Sequence, residues 1–150
     1  NNAKFYNFCL GNYNGTSDFN ITERDDSSSL LKPKINKDDI YKINRKIKIK
    51  VRKLDDILKL NKNETNLLKI DVQGFEYQVL LGAKKLLKKI DFIIIEISSA
   101  KSYHKEFDKK KSITYLKSKN FRLKKIYNKT YDNKIWQADF LFINKRKYIL

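Results

Sequence analysis

The segment from Leu67 to Ser98 constrains the fold of this chain more than any other part of its 150 residues. It begins with an apolar run that ends at Asp71, passes through Gly74 into an amphipathic stretch, and closes with a second apolar run that carries Glu96. Short continuous apolar runs are typical of parallel strands that are buried on both faces. Parallel neighbours need a long connection, usually a helix. The segment therefore predicts a strand–helix–strand unit in an α/β sheet.

The helices are predicted from the spacing of apolar residues and from capping residues. In "FEYQVLLGAKKLLKKI" the apolar residues recur at intervals of three and four, which predicts one helix from Phe75 to Ile90. Asp55 and Asp56 are predicted to cap a short helix from Ile57 to Leu60. A further helix is expected around Ser112 to Lys119.

The remaining strands follow from alternation and turn residues. "KIKIKVRKL", from Lys46 to Leu54, alternates apolar and basic residues, as a half-exposed strand does. The turn from Asn12 to Gly15 contains Asn-Gly, which predicts a hairpin between the strands on either side. "FRLKKIY" and the terminal strand from Ala138 to Asn144 are expected to form an antiparallel hairpin at the sheet edge, joined by the loop "NKTYDNKIWQ".

Composition limits the classes of partner and compartment. The net charge of +17 comes from 29 lysines and only 5 arginines, and lysine is favoured by A/T-rich codons. Because arginine is the residue of choice for bidentate phosphate and base recognition, the charge is weak evidence for nucleic-acid binding. A single cysteine and no apolar run of ~20 residues indicate a soluble, cytoplasmic protein. The chain contains no methionine, so we expect it to be a fragment of a longer protein.

Two carboxylates are the leading candidates for chemistry. Ligands of open α/β sheets bind beyond the carboxyl ends of the strands, and Asp71 and Glu96 both lie at such ends. There they could orient a hydroxyl, accept a proton or bind a metal. Equally, Asp71 could simply cap the following helix, with Gly74 permitting the turn. Glu96 has the stronger case, because an unpaired acid directly after "FIII" is costly unless it faces a cleft.

Other polar residues near these strand ends have weaker cases. Glu76 in the first helical turn suits the helix dipole, and Gln73 could bind either a ligand or the loop backbone. Lys69, inside an apolar strand, is expected either to extend its ammonium to solvent (snorkelling) or to pair with a neighbouring acid. Tyr103, in the loop after Glu96, is a further candidate for substrate binding, whereas the lone histidine, His104, is more simply a surface residue. No glycine-rich phosphate loop and no Cys/His metal spacing occurs in the sequence.

The segment "LLKIDVQGFEYQVLLGAKKLL" resembles the characteristic motif of FkbM-family methyltransferases. That family shows Lys-Ile-Asp-Val-(Glu or Gln)-Gly-x-Glu followed by Val-Leu-x-Gly-Ala, here Lys69–Glu76 and Val79–Ala83. The stretches "CLGNYNGTSDFNI", "SSSLLKP", "VRKLDDIL", "FIIIEIS" and "WQADFLFIN" are similar to other family segments and occur in the same order. The resemblance covers nearly the whole chain, and its first motif is the specific one.

The resemblance implies a Rossmann-like class I methyltransferase sheet, mostly parallel with an antiparallel C-terminal edge hairpin. It implies S-adenosylmethionine as cofactor and a small-molecule or glycan hydroxyl as acceptor. It places catalytic roles on Asp71 and Glu96, and substrate contacts on Gln73 and Glu76. A cofactor contact is implied at the three residues Cys9, Leu10 and Gly11.

The family's Asp-x-Gly-Ala-Asn-x-Gly cofactor segment has no counterpart in this sequence. We therefore expect a single partial methyltransferase domain over residues 1–150, lacking the N-terminal cofactor-binding strands and inactive by itself. Two alternatives remain open, a basic nucleic-acid-binding module and a non-catalytic remnant of the methyltransferase fold.

Overall fold

The structure is a computed structural model, and it describes residues 3–34, 41–61, 63–106, 109–132, 135–146 and 148. Ten helices and strands of the described residues are labelled in chain order. They are β1 Cys9–Leu10, β2 Gly15–Thr22, β3 Ile43–Arg52, α1 Leu54–Ile57, β4 Leu67–Ile70, α2 Glu76–Gly82, β5 Phe92–Ser98, α3 Lys109–Ser118, β6 Phe121–Asp132 and β7 Ile135–Asn144. Short 3₁₀ turns occur at Asp25–Ser27 and Leu86–Lys88.

The strands form two mixed sheets, which makes the fold α/β. The first sheet has the order β1-β3-β2 and the second β4-β5-β7-β6. In the second sheet β4 and β5 are parallel, while β7 is antiparallel to both of its neighbours. β4, β5 and β6 thus point in one direction and only β7 opposes them. The prediction of a mostly parallel sheet is not confirmed, because one of these three adjacent pairs is parallel; the antiparallel β6–β7 pair lies at the sheet edge as expected.

The core lies on one face of the second sheet. Alternate residues of β5 and β7 are buried there, and α2, α3 and the turn at Leu86–Lys88 add leucines and a valine. The fully buried side chains at its centre are Leu80, Ile93, Ile95, Leu116 and Phe142. Packing of alternate strand residues against helix faces leaves Glu96 on the opposite, half-exposed face of β5.

The predicted hairpin at Asn12–Gly15 is wrong. β3 lies between β1 and β2, pairing parallel with the first and antiparallel with the second. Neither Asn14 nor Gly15 has the positive φ that an Asn-Gly hairpin turn requires. Asn14 instead binds the start of α1, where its Oδ1 accepts from the Lys53 N–H at 2.9 Å and its Nδ2 donates to Asp56 at 2.7 Å.

The predicted capping of a helix at Ile57–Leu60 is also wrong. α1 begins at Leu54, so both aspartates lie inside its first turn and make no cap bond there. The Asp55 carboxylate accepts from the backbone N–H groups of Lys85 and Leu86, at 2.9 and 2.9 Å. It therefore caps the turn at Leu86–Lys88, a contact between distant segments.

The long helix predicted from Phe75 to Ile90 is shorter in the structure. α2 ends at Gly82, and a 3₁₀ turn at Leu86–Lys88 follows. A Cβ built on Gly82 would collide with the carbonyl oxygen of Gly11, so the helix end lies directly against the loop after β1. Most apolar residues of the predicted helix are nevertheless buried, while Phe75, Tyr77 and Leu81 are half-buried.

Three further predictions concern the strands and the last helix. α3 confirms the helix expected around Ser112–Lys119. The expected loop "NKTYDNKIWQ" is wrong for its described residues, because β6 and β7 extend into it with a register shift between Tyr127 and Thr130. β4 is neither a central strand nor covered on both faces. Among the described strands it pairs only with β5, and the 59% exposure of Leu67 shows that one face is open to solvent.

No helix in the described part of the chain has both the length and the apolar character needed to cross a membrane.

Candidate functional site

A cavity of about 720 Å³ lies beyond the carboxyl ends of β4 and β5. Five of the residues expected from the sequence line it: Cys9, Leu10, Asp71, Gln73 and Glu96. Its size is within the range of small-molecule and cofactor sites. The strand ends therefore meet where ligands of α/β sheets usually bind.

Asp71 follows the last residue of β4 and is held by two donors. Lys69 Nζ lies 3.1 Å from its Oδ2, and Gln73 Nε2 donates to its Oδ1 at 3.3 Å. α2 has no side-chain cap hydrogen bond, so Asp71 does not cap that helix. The expected pairing of Lys69 with an acid is confirmed, and this lysine also lies 3.8 Å from Asp139. Its hydrogen bond to Asp71 raises the pKa of Lys69.

Glu96 is the carboxylate with the most perturbed environment. It lies on β5 directly opposite Asp139 of β7, and it accepts no hydrogen bond from the described residues. Burial raises its pKa from 4.5 to about 7, with further contributions from the negative charges of Asp71, Glu76 and Asp139, while Lys69 opposes the shift. At neutral pH this carboxyl can therefore exist in either protonation state.

The turn between β4 and α2 is shaped by Gln73 and Gly74, which have φ values of 51° and 89°. Glu76 stabilises the turn, because its Oε1 accepts from the Gly74 N–H at 3.0 Å and lies 3.4 Å from the Val72 nitrogen. Burial raises the pKa of Glu76, and these backbone donors oppose the rise. The structure thus places Glu76 against the turn rather than among the residues lining the large cavity.

Tyr103 is buried behind the cavity and does not line it. Its hydroxyl donates to the Ser27 carbonyl oxygen at 2.7 Å and lies 3.3 Å from Gln73 Oε1. Burial raises the pKa of Tyr103 well above its usual range, so the hydroxyl keeps its proton. Next to it, His104 is exposed and also lies outside the cavity lining.

The outer wall of the cavity is the segment of residues 23–34, which contains the 3₁₀ turn Asp25–Ser27. The Ser29 hydroxyl donates to the Gln73 carbonyl oxygen at 2.8 Å, and Asn20 Nδ2 donates to the Ser29 and Leu31 carbonyl oxygens. The first contact fixes the wall to the turn after β4, and the contacts of Asn20 fix it to β2. The cavity-lining residues that were not expected from the sequence are Phe8, Phe19, Arg24, Asp26, Ser27, Ser28, Leu30, Tyr41, Val72, Phe75 and Gln137. Only the family-like stretches pointed to any of them; for example, Ser27, Ser28 and Leu30 lie in "SSSLLKP", and Gln137 lies in "WQADFLFIN".

The three residues expected at the cofactor do not share one position. Cys9 and Leu10 line the cavity, and burial raises the pKa of the Cys9 thiol. Gly11 lies beneath it, where an added Cβ would come 2.8 Å from Val51 Cγ1 and 3.2 Å from the Phe75 ring. Gly11 therefore allows the backbone to pack closely against Val51 and Phe75 beneath the site.

The lining suits a ligand that carries a positive charge and a ring. Three carboxylates and one guanidinium face the cavity, and Phe8, Leu10 and Phe75 supply apolar surface. Within the described residues no group of three or more His, Cys, Asp or Glu side chains is arranged to hold a metal ion.

Comparison with known proteins identifies one family. The model of the methyltransferase FkbM domain matches residues 1–123, and the match ends within β6. Neither the curated proteins nor the solved structures gave a match.

Proposed function

Because the chain belongs to the FkbM methyltransferase family, we propose that it forms the acceptor side of an S-adenosylmethionine-dependent O-methyltransferase. The acceptor is a hydroxyl of a sugar or another small molecule. The observation that carries the proposal is the position of Asp71 and Glu96, which line one cavity at the ends of neighbouring strands.

In this proposal the two carboxylates have different tasks. Asp71 is oriented by Lys69 and Gln73, so it is suited to accept a hydrogen bond that positions the acceptor hydroxyl. Glu96 is free of hydrogen bonds within the described residues and has a pKa near 7, which suits a general base. Gln73 lies between them and the outer wall.

S-adenosylmethionine, when bound, supplies a methyl group on a positively charged sulfur. Transfer of that methyl group to the acceptor oxygen would leave a neutral thioether, and the residues of this chain would orient the oxygen and take up its proton. Glu96 takes the proton that the hydroxyl loses. The negative charges of Asp71 and Glu96 favour a sulfonium over a neutral thioether, and Cys9 and Leu10 are the residues we expect near the donor.

Methyl transfer from labelled S-adenosylmethionine tests the proposal, using protein expressed from the complete reading frame that contains this chain. With a panel of sugars and small alcohols, we expect transfer to a hydroxyl. Glu96→Gln should lower kcat by about 10²- to 10⁴-fold, as loss of a general base does. The control Asp18→Asn removes an exposed carboxylate that pairs with Lys48 on the first sheet, and it should leave kcat unchanged.

Absence of transfer to every hydroxyl acceptor would refute the proposed reaction, and an unchanged kcat in Glu96→Gln would refute the role of Glu96. The 150 residues alone form a separate arm of the assay. We expect no transfer by them, because they contain no Asp-x-Gly cofactor loop.

The alternative of a nucleic-acid-binding module gains nothing from the cavity, because three of the four charged residues that line it are acidic. A non-catalytic remnant predicts that Glu96→Gln and wild type behave alike, so the same assay separates it from the enzyme.

A further inference from the structure

The cavity is an acidic site in a strongly basic protein. The chain has 34 basic and 17 acidic residues, yet the charged residues of the lining are Asp26, Asp71, Glu96 and a single arginine, Arg24. No lysine is among the described residues that line it. Negatively charged compounds are attracted to the protein as a whole but meet a negative field at the cavity itself.

The one cation of the lining is already occupied. Arg24 Nη2 lies 2.9 Å from Asp26 Oδ2, and Arg24 Nε donates to the same oxygen at 3.0 Å. The Ser27 hydroxyl donates to the other carboxylate oxygen of Asp26 at 3.2 Å, and the Thr22 hydroxyl donates to the Arg24 carbonyl oxygen at 2.7 Å. The pair is thus held on the Asp26 side by the 3₁₀ turn of the outer wall and on the Arg24 side by the last residue of β2.

An unpaired arginine at this position would bind anions. Its planar fork matches phosphate and carboxylate groups in a bidentate arrangement. Asp26 occupies the Nε and Nη2 donors of that fork from within the chain. Lys69 is not among the described residues that line the cavity, and its ammonium is paired with Asp71 at 3.1 Å. Arg24 and Lys69 are therefore both neutralised by aspartates.

We propose that Asp26 is a specificity-determining residue: by pairing with Arg24 it makes the cavity select uncharged or cationic acceptors and reject phosphorylated or carboxylated ones. The proposal rests on the proposed function, since it assumes that the acceptor occupies this cavity. Because the side chains of Arg24 and Asp26 are 61% and 63% exposed, the selection is modest in size.

Equilibrium binding to the protein expressed from the complete reading frame tests this without methyl transfer. The probes are methyl glucoside, glucosamine and glucose 6-phosphate, measured by ligand-observed NMR at about 0.1 M salt, where surface charges more than about 10 Å away are screened. Wild type should bind the phosphate more weakly than either of the other sugars. Asp26→Asn should tighten binding of the phosphate about fivefold, the effect of one charge about 4 Å away in a water-like medium. Binding of methyl glucoside should not change.

Asp18→Asn is the matched control, because Asp18 also pairs with a basic side chain, Lys48 at 2.7 Å, but lies outside the cavity lining. Both variants raise the net charge by one, so an effect of total charge would appear in both. Only Asp26→Asn changes the charge inside the cavity, and only this variant should bind the phosphate more tightly relative to the other sugars. A damaged wall would weaken all three sugars together, which separates folding from charge selection.

The proposal is overturned if wild type binds the phosphate as tightly as methyl glucoside, or if the two variants behave alike. It is also overturned if no sugar binds at all, because the cavity then does not take this ligand class. That last result leaves the methyltransferase assay to decide the proposed function by itself.

Discussion

At the scale of single residues, Glu96 is the carboxyl group of the described site whose charged form the fold disfavours most. Its pKa is raised from 4.5 to about 7, chiefly by burial. A carboxyl with a raised pKa in the folded state adds stability that is fully present below the unfolded pKa of about 4.5 and is lost as pH rises through about 7. The charged form needed to accept a proton is thus the form that destabilises the fold.

We expect Glu96→Gln to make the protein more stable than wild type at about pH 8, by roughly 1–2 kcal/mol, and to match it near pH 4.5. The effect is smaller than the full pKa shift implies because the carboxyl is only half-buried and water screens it. Urea unfolding across this pH range measures the difference. Asp18→Asn is the control, because Lys48 lowers the pKa of Asp18 and its titration lies below this range.

A stability difference between Glu96→Gln and wild type that does not change with pH would contradict this explanation. It would mean that the carboxyl of Glu96 is well solvated in the folded protein, and the case for it as a general base near neutral pH would weaken with it.

At the scale of elements, the contact between α2 and the loop after β1 fixes the floor of the cavity. Gly82 ends α2, and an added Cβ would collide with the Gly11 carbonyl oxygen. In an unobstructed helix, replacing glycine by alanine stabilises by about 1 kcal/mol. Here we expect Gly82→Ala to destabilise by about 1–3 kcal/mol, because the backbone must move.

Gly15→Ala is the matched control, since its Cβ would meet only the Tyr13 ring at 3.4 Å, an ordinary contact. It should change the free energy of unfolding in urea by less than about 0.5 kcal/mol. If Gly82→Ala proves as stable as wild type, α2 does not approach the β1 loop as closely as the structure indicates.

The same elements show how far the sequence could predict the fold. β5, α3 and β7 were predicted because each carries a local apolar period that burial requires. The position of β3 between β1 and β2 was not, because Asn14 looks like a turn residue and its partner, Asp56, is 42 positions away. The role of Asp55 was predicted wrongly for the same reason, because the two backbone N–H groups that it caps lie 30 and 31 positions away.

The same difference between local sequence signals and long-range contacts separates the site residues that were predicted from those that were missed. Asp71 and Glu96 were predicted because strand ends and charges are visible in a sequence, and the cavity contains both. The wall residues Arg24 and Asp26 were missed, because the contact that brings their segment to the site, Ser29 to Gln73, spans 44 positions. Tyr103 was expected at the substrate, but the structure buries its hydroxyl against the Ser27 carbonyl oxygen.

At the scale of the whole molecule, charge is distributed unevenly. Lys46, Lys48 and Lys50 project from β3 and are exposed, while the cavity is acidic. With a net charge of +17, the protein should bind any polyanion at low salt through released counterions. Such binding reports total charge and carries no sequence information.

We therefore expect the chain to bind DNA at low salt without sequence preference and to lose that binding by about 0.2 M salt. The triple variants Lys46→Gln/Lys48→Gln/Lys50→Gln and Lys84→Gln/Lys85→Gln/Lys88→Gln remove equal charge from β3 and from the region after α2. Both sets of side chains are exposed. Fluorescence anisotropy should show an equal loss of affinity for the two variants, because diffuse charge depends on number and not on place. A loss confined to the β3 variant, or binding that persists above about 0.2 M salt with a preferred sequence, would instead identify β3 as a nucleic-acid-binding surface.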